Sequence, residues 1–213
     1  MKARFFIPFL LVIALALLTG CVAKPYDYTS FRAHPPRSLL VLTPLNESTD
    51  VRGTFGYLSS VSRPLAEMGF YVYPVAVVDH FMKENGMPTA GEMHQIPLEK
   101  IGDVFGADAV LYLKVKQYGS KYQIITSTTV VAAEGKLVDV KTGTTLWEGS
   151  ATAQQSSSSG NLLADLVVAA VDQAINSSTD QAHNLAVQVN TQMFMTKDHG
   201  LLYGPYYPKE QQQ

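Results

Sequence analysis

The stretch Ala-Val-Leu-Tyr-Leu-Lys-Val-Lys-Gln-Tyr, residues 109–118, decides the fold class. From Leu111 onward, leucine and valine alternate with tyrosine and lysine, which is the period of a strand with one buried and one wet face. Upstream, Leu-Leu-Val-Leu at 39–42 is a continuous apolar run ended by Pro44, typical of a strand buried on both faces. Residues 70–73 predict a further strand. The two kinds of strand indicate a sheet that is covered over one part and half exposed over another.

Helical periodicity fills the segments between these strands. Apolar side chains recur every three or four positions over residues 55–68, 75–82 and 98–105. Thr89 and Glu92 have the spacing of a capping box, which predicts the start of another helical turn. Strands alternating with helices in this way predict the α/β class.

The second half of the chain predicts hairpins followed by helices. The predicted turns are Gly119-Ser120 and residues 139–143, which would contribute to three consecutive hairpins. Two further helices are predicted over residues 162–175 and 180–193. The whole pattern predicts a single-domain α/β sandwich over residues 38–195, with one mixed sheet, antiparallel hairpins and flanking helices.

The first 21 residues have the pattern of a signal peptide. Lys2 and Arg4 precede a 14-residue apolar run, which rises only about 21 Å as a helix and is short for a hydrocarbon core of ~30 Å. The run ends in Leu-Thr-Gly-Cys, which resembles the bacterial lipobox. That motif implies a signal peptide over residues 1–20, cleavage between Gly20 and Cys21, and acyl chains on the Cys21 sulfur. A plain membrane anchor followed by an incidental free cysteine is the alternative.

The residues after Cys21 predict where the domain is held. Val22 stands where inner-membrane lipoproteins resemble one another in having Asp, and by that resemblance we expect the outer membrane, with the domain facing the periplasm. Several acyl chains would make a lasting anchor. Residues 21–37, with three prolines and no period, are predicted as the lipidated Cys and a tether. The 16 residues after the Cys would span at most about 53 Å, at ~3.3 Å each.

Composition excludes several classes of protein and site. The 213 residues are 46% hydrophobic with a net charge of −2, which suffices for a core and supplies no basic patch for nucleic acid. A single Cys makes neither an internal disulfide nor a Cys-rich zinc site. Asp79-His80 and Glu92-Met93-His94 could offer metal ligands if the fold joined them, but exposed histidines are the plainer interpretation. We therefore predict no metal, no cofactor and no catalytic residue, so that the acyl chains on Cys21 are the only attached groups.

The C-terminal tail, residues 196–213, is unusually aromatic for a chain end. Terminal segments are normally polar unless they dock on something. Tyrosine suits an interface because its ring buries area while its hydroxyl stays wet. Two interpretations stay open, packing on the domain itself and contact with a partner. The candidate contact residues are Leu201, Leu202, Tyr203, Tyr206 and Tyr207.

Three segments carry a resemblance to a known family. They are Leu-Val-Leu-Thr-Pro-Leu-Asn at 40–46, Gly-Ala-Asp-Ala-Val-Leu-Tyr at 106–112 and Gly-Lys-Leu-Val-Asp-Val-Lys-Thr-Gly-Thr-Thr-Leu-Trp at 135–147. With the order of elements, they make the mature chain resemble bacterial lipoproteins of the GNA type, a domain family of unknown function. That family is similar in fold to the TolB N-terminal domain and to the periplasmic domain of the secretion lipoprotein CsgG. The resemblance implies a non-enzymatic accessory subunit of an envelope assembly or secretion complex, with a CsgG-like lipoprotein as its protein partner.

Two other functions stay open. Lipoprotein regulators of peptidoglycan synthases are also similar to the TolB N-terminal fold, but they reach across the periplasm on long disordered linkers. The 16-residue tether predicted here is too short for that reach. An envelope hydrolase would need a pair of carboxyl groups with perturbed pKa values in a cleft. The short tether favours the accessory subunit.

Overall fold

One mixed sheet organises the molecule. The computed structural model describes residues 26–122, 127–157 and 181–208. The strands are β1 (Ser38–Val41), β2 (Leu45–Asn46), β3 (Tyr71–Val72), β4 (Ala109–Tyr122), β5 (Ser127–Asp139) and β6 (Thr145–Ser157). They follow the order β3-β1-β4-β5-β6 with β2 beside β4, and β1 is parallel to both of its neighbours while β4, β5 and β6 are antiparallel. The predicted α/β class with a mixed sheet is confirmed.

Strand β4 has the alternation that the sequence predicts. Leu111, Leu113 and Val115 are buried on one side of the sheet, which we call the first face. Tyr112 packs against the apolar cluster on the other side, the second face. Lys114, two residues further on, forms a 3.4 Å ion pair with Glu47 at the protein surface. The lysines of this stretch therefore mark the wet part of the second face.

Helices cover both faces of the sheet. The described helices are α1 (Thr29–Ala33), α2 (Gly53–Leu58), α3 (Ser62–Glu67), α4 (Val75–Glu84), α5 (Ala90–Met93), α6 (Leu98–Phe105) and α7 (Gln181–Met195). Side chains of α2, α3 and α7 pack on the first face in the cluster that contains Trp147. Those of α4, α5 and α6 pack on the second face with Leu40 and Leu42. The parallel part of the sheet is thus buried on both sides, as the apolar run at 39–42 predicts.

Two long hairpins replace the three that the sequence predicts. Strand β4 continues through Gly119, which pairs with Val130, and β5 runs without interruption through Gly135. Gly119 has φ +107°, and a Cβ on Gly135 would lie 3.3 Å from the ring of Trp147. Both glycines serve backbone conformation and close packing inside strands. The turn predicted at Gly119-Ser120 is therefore wrong.

The helix predicted over residues 55–68 is divided into α2 and α3. At the end of α2, the Ser59 hydroxyl donates to the Gly56 carbonyl over 3.0 Å and the Ser60 hydroxyl donates to the Tyr57 carbonyl over 2.7 Å. Serine hydroxyls that bond to nearby carbonyls compete with continuation of a helix. The chain therefore breaks between the two helices while the apolar period runs on.

A buried polar network ties α2 to α7. The Tyr57 hydroxyl donates to Asn190 Oδ1 over 2.6 Å, and Asn190 Nδ2 donates to the Ser60 hydroxyl over 2.8 Å. All three residues are buried. Burial raises the pKa of Tyr57, so its hydroxyl remains a proton donor at any physiological pH.

Other local predictions are confirmed. Thr89 and Glu92 form both bonds of a capping box at the start of α5. Gly106 ends α6 in the left-handed conformation, with φ +66°. The final helix predicted over residues 180–193 is α7. The helix predicted over 162–175 lies outside the described residues.

The predicted tether is, from Tyr26 onward, part of the folded domain. Phe31 in α1 is 3% exposed, and its ring lies 6.5 Å from that of Phe70. Tyr26 and Tyr28 also pack against the first-face cluster. The assignment of residues 26–37 to a tether is therefore wrong, because prolines and the lack of a period conceal aromatic side chains that bury themselves in the core.

Candidate functional site

The two ends of the described chain are bound to each other. The N-terminal strap, residues 26–33, lies against the C-terminal tail. The Tyr26 N–H donates to the Asp198 carbonyl over 3.1 Å, and the Tyr28 hydroxyl donates to the Gly200 carbonyl. Burial raises the pKa of Tyr28, and the nearby Asp198 carboxylate raises it further. The tyrosine therefore stays protonated and able to donate across the physiological range.

Strand β6 holds both the strap and the tail. The Trp147 indole N–H donates to the His199 carbonyl over 2.9 Å. The Tyr26 hydroxyl accepts the Glu148 N–H over 3.0 Å. Because β6 lies at the edge of the sheet, such an N–H has no neighbouring strand to bond with. The strap thus covers part of an edge that would otherwise be open.

Close backbone contact fixes the end of the tail. The Gly204 N–H donates to the Met68 carbonyl over 2.8 Å, and the Tyr206 N–H donates to the Gly69 carbonyl over 3.0 Å. Gly69 has φ +85°, and a Cβ there would overlap the backbone nitrogen of Tyr207. The tail therefore rests in a seat that requires glycine.

The structure divides the predicted contact residues of the tail into buried and exposed ones. Leu201 is buried, and Leu202 and Tyr207 are half-buried. Tyr203 is 51% exposed and Tyr206 is 66% exposed. The tail thus packs on its own domain, one of the two interpretations that the sequence leaves open. Contact of the exposed tyrosines with a partner stays a prediction.

A concavity of about 670 Å³ lies between the strap and the tail. Its lining includes Tyr26, Arg32, Met195, Lys197 and Tyr203. Apart from half-buried Tyr26, these side chains are exposed to solvent. Each combines an apolar body with mobility or a polar tip, which suits a boundary between water and an apolar phase.

The predicted anchor lies just before this surface. Gly20 and Cys21 are outside the described residues, so cleavage and acylation there stay predictions. Only five peptide steps separate Cys21 from the packed residue Tyr26, which limits their Cα separation to about 18 Å. Among residues 26–122, 127–157 and 181–208, no helix is long and apolar enough to cross a bilayer.

A second exposed surface, the edge patch, lies beside the short edge strand β3. It consists of Tyr71, Tyr73, Phe81 and Phe105, whose rings follow one another at centroid separations of 5.1, 6.2 and 5.2 Å. Tyr71 is 53% exposed. The Tyr73 hydroxyl donates to the Phe105 carbonyl over 2.7 Å, which fixes β3 against α6. The patch is a rigid aromatic strip, the composition that marks protein contact sites.

The histidine and acidic motifs have structural roles. His94 Nε2 lies 3.0 Å from the Thr43 carbonyl, and the Thr43 hydroxyl donates to Asp79 over 2.7 Å. Burial lowers the pKa of His94, which keeps its ring neutral. Glu92 belongs to the capping box. In the part of the chain that the structure describes, no three His, Cys, Asp or Glu side chains are grouped as metal ligands.

A groove of about 560 Å³ on the second face is lined by Tyr112, Lys114 and Glu134, among others. A hydrolase would need a carboxyl group with a raised pKa to act as an acid. Hydrogen bonds from Lys116 lower the pKa of Glu47, which pairs with the same row of lysines. No carboxyl group with a raised pKa occurs among residues 26–122, 127–157 and 181–208.

Sequence reasoning missed two features of these surfaces. Tyr26 and Tyr28 lie in a segment without helical or strand periodicity, and their one signal is that aromatic residues are unusual in a tether. The edge patch combines residues from β3, α4 and α6. Its signal in the sequence is Tyr71 and Tyr73 on alternate positions of a strand too short to bury both.

Comparisons with known proteins agree with this architecture. A family model described as "Putative lipoprotein GNA1162-like" matches residues 26–206. A Neisseria meningitidis serogroup B protein described as "Putative lipoprotein NMB1124/NMB1162" is 43% identical over 203 residues, which cover 94% of each chain. The crystal structure of lipoprotein GNA1162 from Neisseria meningitidis is 48% identical, with a TM-score of 0.55 over 66% of this chain and 99% of that chain. The C-terminal domain of LpoB from Salmonella enterica matches distantly, at 18% identity and a TM-score of 0.42 over 68% of this chain and 94% of that one.

Proposed function

Since the chain belongs to the GNA1162-like lipoprotein family, we propose that it is anchored at the outer membrane, facing the periplasm, through acyl chains on Cys21. Cleavage between Gly20 and Cys21 would produce the mature chain. The observation that carries the proposal is the position of Tyr26, the first packed residue, five steps after Cys21. A lipid on that cysteine holds the folded domain directly at the membrane surface, within about 18 Å.

We further propose that the protein acts by contact, without catalysis, as an accessory subunit of an envelope assembly or secretion complex. The edge patch supports this role because its aromatic side chains are exposed on a rigid framework. Aromatic anchors of this kind dominate the energy of protein interfaces. The expected partner is a CsgG-like lipoprotein, itself held at the same membrane. A domain without a free tether meets such a partner within the layer next to the bilayer.

Membrane fractionation tests the anchor. The variant Cys21→Ser should move from the membrane to the soluble periplasmic fraction, because no other group would hold the mature chain. Val22→Ala, which leaves the Cys in place, is the matched control and should remain in the outer-membrane fraction. Retention of Cys21→Ser in membranes would contradict the lipid anchor.

Cross-linked co-purification tests the contact role. The full-length lipoprotein is cross-linked in its native envelope, and partners are identified by mass spectrometry. A CsgG-like lipoprotein should be recovered and should be lost from Tyr71→Ser/Phe81→Ser. The exposed residue Val51, in the loop before α2, supplies the control Val51→Ser. Recovery of a peptidoglycan synthase instead would replace the accessory role by that of a synthase regulator.

A further inference from the structure

The short reach of the anchor restricts how the domain can face the membrane. This argument rests on the proposed lipidation of Cys21. A domain of about 160 residues has a radius of gyration of roughly 15 Å, whereas Tyr26 lies at most about 18 Å from Cys21. The domain is therefore wider than its link is long, and it cannot turn its far side to the lipid. The surface around Tyr26 stays next to the bilayer.

That surface has the composition of a membrane interface. Met195, Tyr203 and Lys197 line the concavity next to Tyr26, and the tail continues to the exposed Tyr206. Tyr203 is held in place by stacking on Tyr207, with ring centroids 4.0 Å apart. Tyrosine is enriched where hydrocarbon meets headgroups. The long apolar stem of lysine lies along such a boundary while its ammonium reaches water.

The charges on the surface are balanced. Exposed Arg32 and Lys197 are matched by exposed Asp27 and Asp198. A surface without net charge gains little from anionic lipid, whose attraction is about 1 kcal/mol per unpaired basic residue. Contact with lipid would therefore depend on the amphipathic side chains and on proximity to the anchor.

We propose that the surface formed by Met195, Lys197, Tyr203 and Tyr206, together with Arg32, rests on the headgroup layer of the membrane that carries the Cys21 anchor. The lipid bilayer is thus the occupant of the exposed part of the C-terminal tail. The domain stands in one orientation, and the tail tyrosines are not available to a protein partner. The second face, on the other side of the sheet from the tail, is left open to the periplasm.

Fluorescence in vesicles tests this orientation. The acylated full-length protein is reconstituted into vesicles of phosphatidylethanolamine and phosphatidylglycerol, with a quencher on a fraction of the headgroups. An environment-sensitive dye is attached at Tyr203→Cys or at Lys197→Cys, so that loss of the Tyr203 stacking affects only one of the two probes. Acylation occupies the one native cysteine thiol, so the introduced cysteine is labelled alone. Glu99→Cys is the matched control, because Glu99 is exposed on α6 and α6 packs on the second face.

The expected result is a blue shift and strong quenching at positions 203 and 197, with neither at position 99. The same result is expected in phosphatidylcholine vesicles, because the surface carries no net charge. Equal signals at 203, 197 and 99 in protein that sediments with the vesicles would overturn the orientation while leaving the anchor intact. Failure of the protein to sediment would instead contradict the lipidation itself. Protection at 203 in native envelopes but not in protein-free vesicles would assign the surface to a protein partner and overturn the lipid contact.

Discussion

Replacement of Phe31 by alanine tests whether the strap is part of the folded domain. The Phe31 side chain is 3% exposed and packs against Phe70 on the first face. Burial of about 150 Å² of aromatic surface at about 25 cal/mol per Å² contributes roughly 4 kcal/mol. That value lies within the ~3–5 kcal/mol measured for buried Phe→Ala changes. We expect Phe31→Ala to lower the free energy of unfolding by this amount.

The assay is urea unfolding of the unlipidated chain that begins at Val22, followed by the fluorescence of Trp147, the one tryptophan, which is fully buried. With a slope of about 2 kcal/mol per molar urea, the midpoint should fall by roughly 2 M. Arg32→Ala changes an exposed residue of the same helix and should stay within about 0.5 kcal/mol of the parent. If Phe31→Ala is too unstable to fold, Phe31→Leu should show a smaller loss of about 1 kcal/mol. A midpoint unchanged by either Phe31 variant would refute the packing of the strap.

Three further predictions concern single residues. Asn190→Ala orphans two buried hydroxyls and should cost about 1–3 kcal/mol for each in chemical unfolding; adding Tyr57→Phe should recover part of the loss, and no recovery would contradict the network. Gly69→Ala forces a side chain into the backbone of Tyr207 at φ +85°; it should cost more than about 1 kcal/mol and make the tail sensitive to limited proteolysis, whereas an intact, resistant tail would be evidence against the seat. Burial lowers the pKa of His94 in the folded chain, so the unfolded chain binds its proton more readily, and the free energy of unfolding should fall as pH drops below about 6.5. His94→Gln should flatten that dependence, and an identical pH profile for both chains would show that His94 is not its source.

Local chemistry explains which parts of the fold could be predicted. The run at 39–42, the capping box at Thr89 and the cap at Gly106 each depend on neighbours within a few residues, and each is confirmed. Gly119 and Gly135 look like turn residues in the sequence. Their role depends on the ring of Trp147 and on a strand conformation that no local pattern reveals. Glycine marks a backbone requirement, and the sequence does not say whether a turn or a packed neighbour imposes it.

The candidate surfaces were less predictable for a related reason. Tyr28 and Gly200, which bond to each other, are 172 positions apart, and no period in either segment points to the other. The tail tyrosines could be predicted as contact residues from composition alone. Which of them are free could not, because the seat on Gly69 removes Tyr207 from the surface and leaves Tyr206 on it.

The pairing of strap and tail also sets an order of events during biogenesis. The strap needs the Asp198 and Gly200 carbonyls, so it can dock only after nearly the whole chain has been synthesised and translocated. Contacts between the two ends of a chain form late because the loop between them must first be closed. Processing enzymes that act at Cys21 therefore meet an extended N-terminal segment while the rest of the domain is still being delivered. Docking of the strap is the closing step, and it draws the newly modified end and the finished domain together at the bilayer.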